Sequence, residues 1–195
     1  MQLTNDFDLS LPPDETYRLL LDLESVTPCM PGATLGSELP DGAREVTVTV
    51  KIGPMRFTYN GTVRIADRDD AQRKAVLLGT ANEARGQGSA TALITMQVTD
   101  DAGASHVSVI SDIELTGRAA QMGHGMVESV SKLLIGQFTT RLSERFIEGS
   151  GRESVGDGSG ASAPDDDALE AGSLVWAAMR DRVSQPFRRR ERGEQ

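Results

Sequence analysis

Residues 117–149 read GRAAQMGHGMVESVSKLLIGQFTTRLSERFIEG, the longest helical pattern in the chain. Met122, Met126, Val130 and Leu133 recur at steps of four, four and three. Val127, Leu134, Phe138 and Leu142 fall on the flank of the same face. That spacing is the period of an amphipathic helix with a wide apolar arc. Ser129, Lys132 and Glu144 supply polar positions, Arg118, Arg141 and Arg145 add charge at both ends, and Gly149 reads as the C-terminal stop. The first turns are loose, because Gly123 and Gly125 each cost about 1 kcal/mol against Ala inside a helix. The inner face there is Met, Met, Val, and methionine fills irregular space and recurs where a surface accepts a variable apolar partner. Two readings stand at this point: an ordinary core helix, or a helix whose first half lines a cavity.

Composition narrows the classes. A chain of 195 residues suits one domain plus an extension, with room for a sizeable core. The net charge of −9 argues against a nucleic-acid partner, since phosphate binding needs a basic face. Cys29 is the only cysteine, so no intramolecular disulfide is possible, and a reducing compartment is expected. It has no nearby His and reads as a small packing residue. MQLTNDFDLS at the N-terminus lacks a basic segment followed by an apolar run, so no secretory signal is expected. No apolar stretch approaches the roughly 18 residues of a transmembrane helix.

Upstream of the helix the pattern is mainly one of strands. Leu3, Phe7 and Leu9 alternate with polar residues as an opening strand. Pro12, Pro13, Asp14 and Glu15 suit a first helical turn, and Tyr17, Leu20, Leu21 and Leu23 continue a short helix. Residues 26–32, VTPCMPG, form a turn or a short second helix closed by Pro31-Gly32. Val46, Val48, Val50 and Ile52 then alternate with polar residues, Gly53-Pro54 turns the chain, and Met55, Phe57, Tyr59, Val63 and Ile65 alternate again. Gly61 marks a bulge or a close backbone approach. Asp67 to Asp70 reads as a charged turn, residues 75–80 as a strand, and residues 79–88, GTANEARGQG, as a polar glycine-rich loop. That loop lacks the Gly-Lys-Ser/Thr ending of a phosphate loop. Residues 90–99 and 106–115 are two further strands around a turn at 100–103. The expected fold is therefore α+β: a curved antiparallel sheet of about six to seven strands wrapped round one long C-terminal helix. Such a sheet need not fill its interior, and the mouths of half-barrels are common ligand sites.

The order of elements resembles the START-like, helix-grip (SRPBCC) superfamily, and within it the CoxG-like family of carbon monoxide dehydrogenase proteins. The matching stretches are Pro28-Cys29-Met30-Pro31-Gly32, Val50-Lys51-Ile52-Gly53-Pro54-Met55, Tyr59-Asn60-Gly61, Gly86-Gln87-Gly88-Ser89-Ala90 and Gly117-Arg118-Ala119-Ala120-Gln121-Met122-Gly123. Together they span residues 1–148; each is weak alone, and their order and spacing make the set specific. His124 and Gly125 follow Gly123 here and loosen that turn further. The resemblance implies a cytoplasmic accessory protein of a molybdenum-containing dehydrogenase, concerned with its assembly or its attachment to the membrane. The superfamily implies an apolar cavity under the long helix.

The domain expected over residues 1–148 is followed by a Gly/Ser-rich linker, 149–164, whose 16 residues span a root-mean-square distance of roughly 20–25 Å. Asp165 to Asp167 is a helix-start signal for residues 168–183. On a helical wheel Leu169, Trp176, Met179 and Val183 share one side with Val175 beside them, and Phe187 follows Pro186. Arg180, Arg182, Arg188, Arg189, Arg190 and Arg192 against two acids leave residues 180–192 at +4. An apolar stripe with aromatic residues beside clustered Arg reads as a helix lying in a bilayer interface. At about 1 kcal/mol per basic residue near an anionic surface, +4 supplies about 4 kcal/mol, enough for reversible recruitment. The rival readings of this tail are a disordered solubilising segment and a helix that docks on a partner protein.

The sequence offers no catalytic constellation. His106 and His124 stand far from each other and from Cys29, without metal-ligand spacing, and no serine elbow or Cys-His signature is present. Asp112 and Glu114 alternate on one strand face and read as solvent-facing. Tyr59, His124 and Arg118 could offer polar groups to a ligand's oxygen atoms. The reading that joins these features is a non-enzymatic accessory protein, peripheral on the inner face of the cell membrane. It binds a lipid quinone, menaquinone or ubiquinone, against Phe57, Tyr59, Ile94, Met96, Met122, Met126, Val130 and Leu133, and brings the dehydrogenase to the membrane. The facing of the strand residues depends on register, since a slip of one residue exchanges the two faces. The alternatives are a membrane anchor or maturation factor without a ligand, and a helix-grip enzyme acting on an apolar small molecule.

Overall fold

The structure is a computed structural model and describes residues 1–86 and 88–148. Gln87, the Gly149 stop, the 149–164 linker and the whole 165–195 tail, with its candidate membrane residues, lie outside the described residues.

The chain opens with β1 (Gln2–Leu9) and α1 (Pro13–Leu21). Pro13 occupies the first turn of α1 with Asp14 and Glu15, as a helix N-terminus favours. A short α2 (Leu23–Val26) and a 3-10 turn (Thr27–Cys29) follow, and Asp22 caps α2 by accepting the Ser25 N–H at 3.2 Å. Six strands come next: β2 (Ala33–Glu38), β3 (Arg44–Ile52), β4 (Met55–Asp69), β5 (Lys74–Glu83), β6 (Ser89–Asp101) and β7 (Ala104–Leu115). A 3-10 turn (Ala119–Met122) leads to α3 (His124–Leu142), which runs on into π-helical turns over Ser143–Glu148. The seven strands form one antiparallel sheet in the order β1-β7-β6-β5-β4-β3-β2. The helix-and-curved-sheet expectation therefore holds.

Several boundaries differ from expectation. The segment over β2, ATLGSE, has no apolar alternation, yet it pairs with β3 through Ala33↔Val48 and Leu35↔Val46. Residues 67–69 belong to β4, because Asp67 pairs with Val76 and Arg68 with Ala75, and the turn falls at 70–73. Likewise β5 runs through Glu83 into the expected glycine-rich loop, since Asn82 pairs with Ser89. Cross-strand pairing overrides local polarity at all three places. The β4 irregularity lies between Ile65 and Asp67, and Gly61 is the close approach: a Cβ there would stand 1.9 Å from the Thr80 carbonyl oxygen. The long helix is not continuous, because Gly123 at φ 76° breaks it between the 3-10 turn and α3.

Register settles which residues share a face. Phe57 pairs with Val50 and Tyr59 with Val48 and Glu83. Ile94 pairs with Leu77 and Ser111, and Met96 with Ala75 and Val109. Period-two alternation then puts Val46, Val48, Val50, Phe57, Tyr59, Val63, Leu77, Ile94 and Met96 on the one face that turns to α3. Asp112 and Glu114 lie on the other face and are exposed.

The core fills one half of that face. Phe7, Leu9, Val98, Val107, Tyr17, Leu20, Cys29, Phe138 and Leu142 form one buried cluster, with Phe7 and Phe138 edge to face at 6.1 Å. The part of α3 that packs most tightly is its C-terminal half, through Ile135, Phe138 and Leu142. Asn5 Nδ2 donates to Ser131 Oγ at 2.9 Å and fixes that side of the helix against edge strand β1.

Candidate functional site: an apolar trough under the first half of the helix

At about 100° per residue, the flank of α3 opposite the β1 side carries Met126, Val130 and Leu134. Since β1 is the sheet edge beside the helix, that flank turns towards the β5-β4-β3 half. There the apolar surface is not sealed. Val46, Val48, Val50, Tyr59, Val63, Leu77 and Ile94 are only part-buried, and Met126 is 47% exposed. A chain with a filled interior would bury such a row of β-branched and aliphatic side chains.

The floor of this trough explains the space. Gly61 pairs with Ala81, which pairs with Ala90, and Val63 pairs with Gly79, which pairs with Ala92. Five of these six side chains are hydrogen or methyl, so the middle of β4, β5 and β6 presents almost no bulk to the helix. A Cβ built on Gly79 would meet only the Thr62 carbonyl oxygen, at 3.9 Å, so the position is open. Sequence reasoning singles out Gly61 but not Gly79, Ala81, Ala90 or Ala92, although glycine and alanine recurring at alternate strand positions is the available signal.

The expected ligand residues divide accordingly. Phe57, Tyr59, Ile94 and Met96 share the concave face, with Phe57 and Met96 buried. Met96 belongs to the packed core and Ile94 lies against it. Val130 and Met122 are part-buried, whereas Met126 stands well exposed. Leu133 lines a shallow depression with Lys132, Gly136, Gln137, Thr140, Arg141 and Glu144 on the surface of the helix. Met126 is thus the most exposed of the eight, and Leu133 borders the depression on the helix surface. A separate open groove of about 880 Å³ runs on the other flank, between β1 (Thr4 to Phe7) and Ile135, Gly136, Thr139 and Ser143.

One end of the trough is polar. Tyr59, Glu83, Arg85, Arg56, Phe57, Arg118 and Ala119 surround a narrow pocket, and a neighbouring depression of about 110 Å³ is walled by Pro54, Met55, Arg56, Phe57, Arg85 and Arg118. Glu83 is buried, and Oε2 accepts the Arg85 N–H at 2.8 Å. Burial raises the Tyr59 hydroxyl above its ordinary range, and the Glu83 carboxylate adds to the rise. Tyr59 therefore stays protonated near neutral pH and can donate a hydrogen bond. His124, also considered as a polar contact, is exposed at the start of α3.

Elsewhere the titratable groups are structural. Burial raises the Cys29 thiol, which sits in the core at 2% exposure. His106 is raised chiefly by its hydrogen bond to Asp8, with Asp6 and Asp101 adding to it. Among the described residues no group of three or more His, Cys, Asp or Glu is placed to hold a metal ion, and no helix is long and apolar enough to cross a membrane.

Comparison with solved structures identifies the architecture. A conserved protein from Geobacillus kaustophilus superposes with a TM-score of 0.67 at 18% identity, covering 76% of this chain and 96% of that one. The Zhui aromatase/cyclase from Streptomyces gives 0.53 at 15%, covering 77% and 98%. A START superfamily protein from Mycobacterium smegmatis gives 0.51 at 10%, covering 75% and 97%. Identities this low carry the fold alone, and the fold is START-like. No curated protein matches the chain. The sequence model of the carbon monoxide dehydrogenase subunit CoxG matches residues 6–147, nearly the whole described domain. The chain with this half-sealed helix-grip domain therefore belongs to the CoxG family.

Proposed function

We propose that the chain is a non-enzymatic accessory protein of a molybdenum-containing carbon monoxide dehydrogenase. It carries a lipid quinone, menaquinone or ubiquinone, in the trough under α3. The basic, aromatic tail over 165–195 recruits it, and the dehydrogenase with it, to the anionic inner face of the cell membrane. The observation that carries this reading is the contrast within one concave face: a closed core at β1, β7 and β6, and beside it an apolar trough floored by glycine and alanine. The family name supplies the dehydrogenase.

The chemistry asked of the protein is binding. A quinone takes up two electrons and two protons, and neither has to come from this chain. An isoprenoid tail would lie against Val63, Leu77, Ile94 and the underside of Val130, covering apolar surface worth about 25 cal/mol per Å². The neutral Tyr59 hydroxyl suits a ring carbonyl as acceptor.

The test is electron delivery. Purified dehydrogenase is given carbon monoxide and quinone held in anionic vesicles, with and without the full chain. Quinol formation should depend on the chain and fall at least about tenfold with Gly79→Leu, which fills the trough at a position open enough to accept a side chain. Equal quinol formation without the chain would remove the carrier role. Dependence on the chain that survives Gly79→Leu would leave an anchor or maturation factor.

A further inference from the structure

The polar end of the trough has a charge pattern that quinone binding does not require. The protein carries −9 overall, yet Arg56, Arg85 and Arg118 converge on the two adjoining depressions that open there. Glu83 is the one acid lining either depression, and it is buried and already accepts the Arg85 N–H. Arg56 and Arg85 are exposed and form no ion pair among the described residues. Between these cations Pro54 is exposed at the tip of the β3–β4 turn, with Met55 beside it and Phe57 one step inside.

Clustered arginines round an apolar opening fit a surface of anionic headgroups over hydrocarbon. We propose that this end of the domain is a second membrane-contact site, which sets the mouth of the trough down on an anionic bilayer, Pro54 and Met55 first. The acidic remainder of the domain is repelled by the same surface, so the charge asymmetry orients the molecule as well as attracting it. The tail then raises the local concentration of the domain at the membrane, and the mouth determines which way it faces. An acidic protein surface would also suit the arginines; the apolar hairpin tip and the trough behind it favour the bilayer. This inference rests on the proposed function only in taking the membrane as the source of the ligand.

The experiment places an environment-sensitive dye at residue 54 of the full chain through Pro54→Cys, Cys29 being buried. The dye is followed as vesicles of phosphatidylcholine with and without phosphatidylglycerol are added, and sedimentation of the same samples reports total binding. The dye should shift to the blue with phosphatidylglycerol vesicles and not with phosphatidylcholine alone. In Arg56→Glu/Arg85→Glu the vesicle concentration for half the shift should rise about thirtyfold or more, from about fivefold for each charge lost. The equal charge change Arg64→Glu/Lys74→Glu, at residues that line neither depression, should leave it within about threefold of the parent at the same ionic strength. A dye that stays in water while the protein sediments would overturn the mouth contact and leave the tail's role standing. A shift of the same size on neutral vesicles, or one insensitive to Arg56→Glu/Arg85→Glu, would overturn it as well.

Discussion

Two truncations on one helix test the division between sealed core and open trough. Phe138 is 7% exposed, sits edge to face on Phe7 at 6.1 Å, and belongs to the same buried cluster as Leu142, Val98 and Val107. Phe138→Ala removes a ring from a closed site, so the lost transfer energy and the cavity left behind add to about 3–5 kcal/mol. Met126 lies three turns earlier and is 47% exposed. Met126→Ala leaves no enclosed cavity, and its cost should stay under about 1 kcal/mol. At about 2–4 °C per kcal/mol for a domain of this size, the first variant should melt roughly 6–20 °C below the parent and the second within about 4 °C. The assay is denaturant and thermal unfolding of delipidated protein followed by far-ultraviolet circular dichroism. If Met126→Ala costs as much as Phe138→Ala, the first half of α3 is packed like the second and there is no trough.

Other positions give sharper local tests. Gly61→Ala would put a Cβ 1.9 Å from the Thr80 carbonyl oxygen and 2.5 Å from Ala81 Cα, so β4 and β5 must part; a loss of about 2 kcal/mol or more is expected, and a neutral result by denaturant titration contradicts the close approach. His106 has a folded-state pKa above its ordinary value, so its contribution to stability is present below the unfolded pKa and lost as pH rises through the folded one. Stability measured across that interval should fall with pH in the parent more than in His106→Gln, and identical profiles would mean that the Asp8 partnership has no energetic consequence. Cys29 is buried and its thiol is raised by that burial, so a thiol reagent should label it only at the rate of unfolding; rapid labelling of native protein would place it at the surface.

The concave face was legible from residues 46–65, where strict alternation survives the Gly53-Pro54 turn, and register keeps Val46 through Ile65 on one side. The helix was legible too, but its packing was not. Met122, Met126, Val130 and Leu133 looked like the centre of the apolar arc, while the buried contacts run through Ile135, Phe138 and Leu142. The arc is wide, and which part of it is used depends on where edge strand β1 crosses the helix, a long-range contact that periodicity cannot encode. The same limit hid β2, whose polar sequence forms a strand because β3 offers it a pairing edge. Of the candidate site residues, Phe57, Tyr59 and Ile94 share the concave face, but the lack of bulk beside them at Gly79, Ala81, Ala90 and Ala92 becomes informative only once three strands are aligned.

Organic extraction of the purified full chain, with mass spectrometry of the extract, tests the carrier role most directly. A lipid quinone should be recovered at close to one per protein, and Gly79→Leu should reduce it at least about tenfold while the protein stays folded. A folded chain that yields no quinone, yet still sediments with anionic vesicles, would contradict the carrier role and leave an anchor.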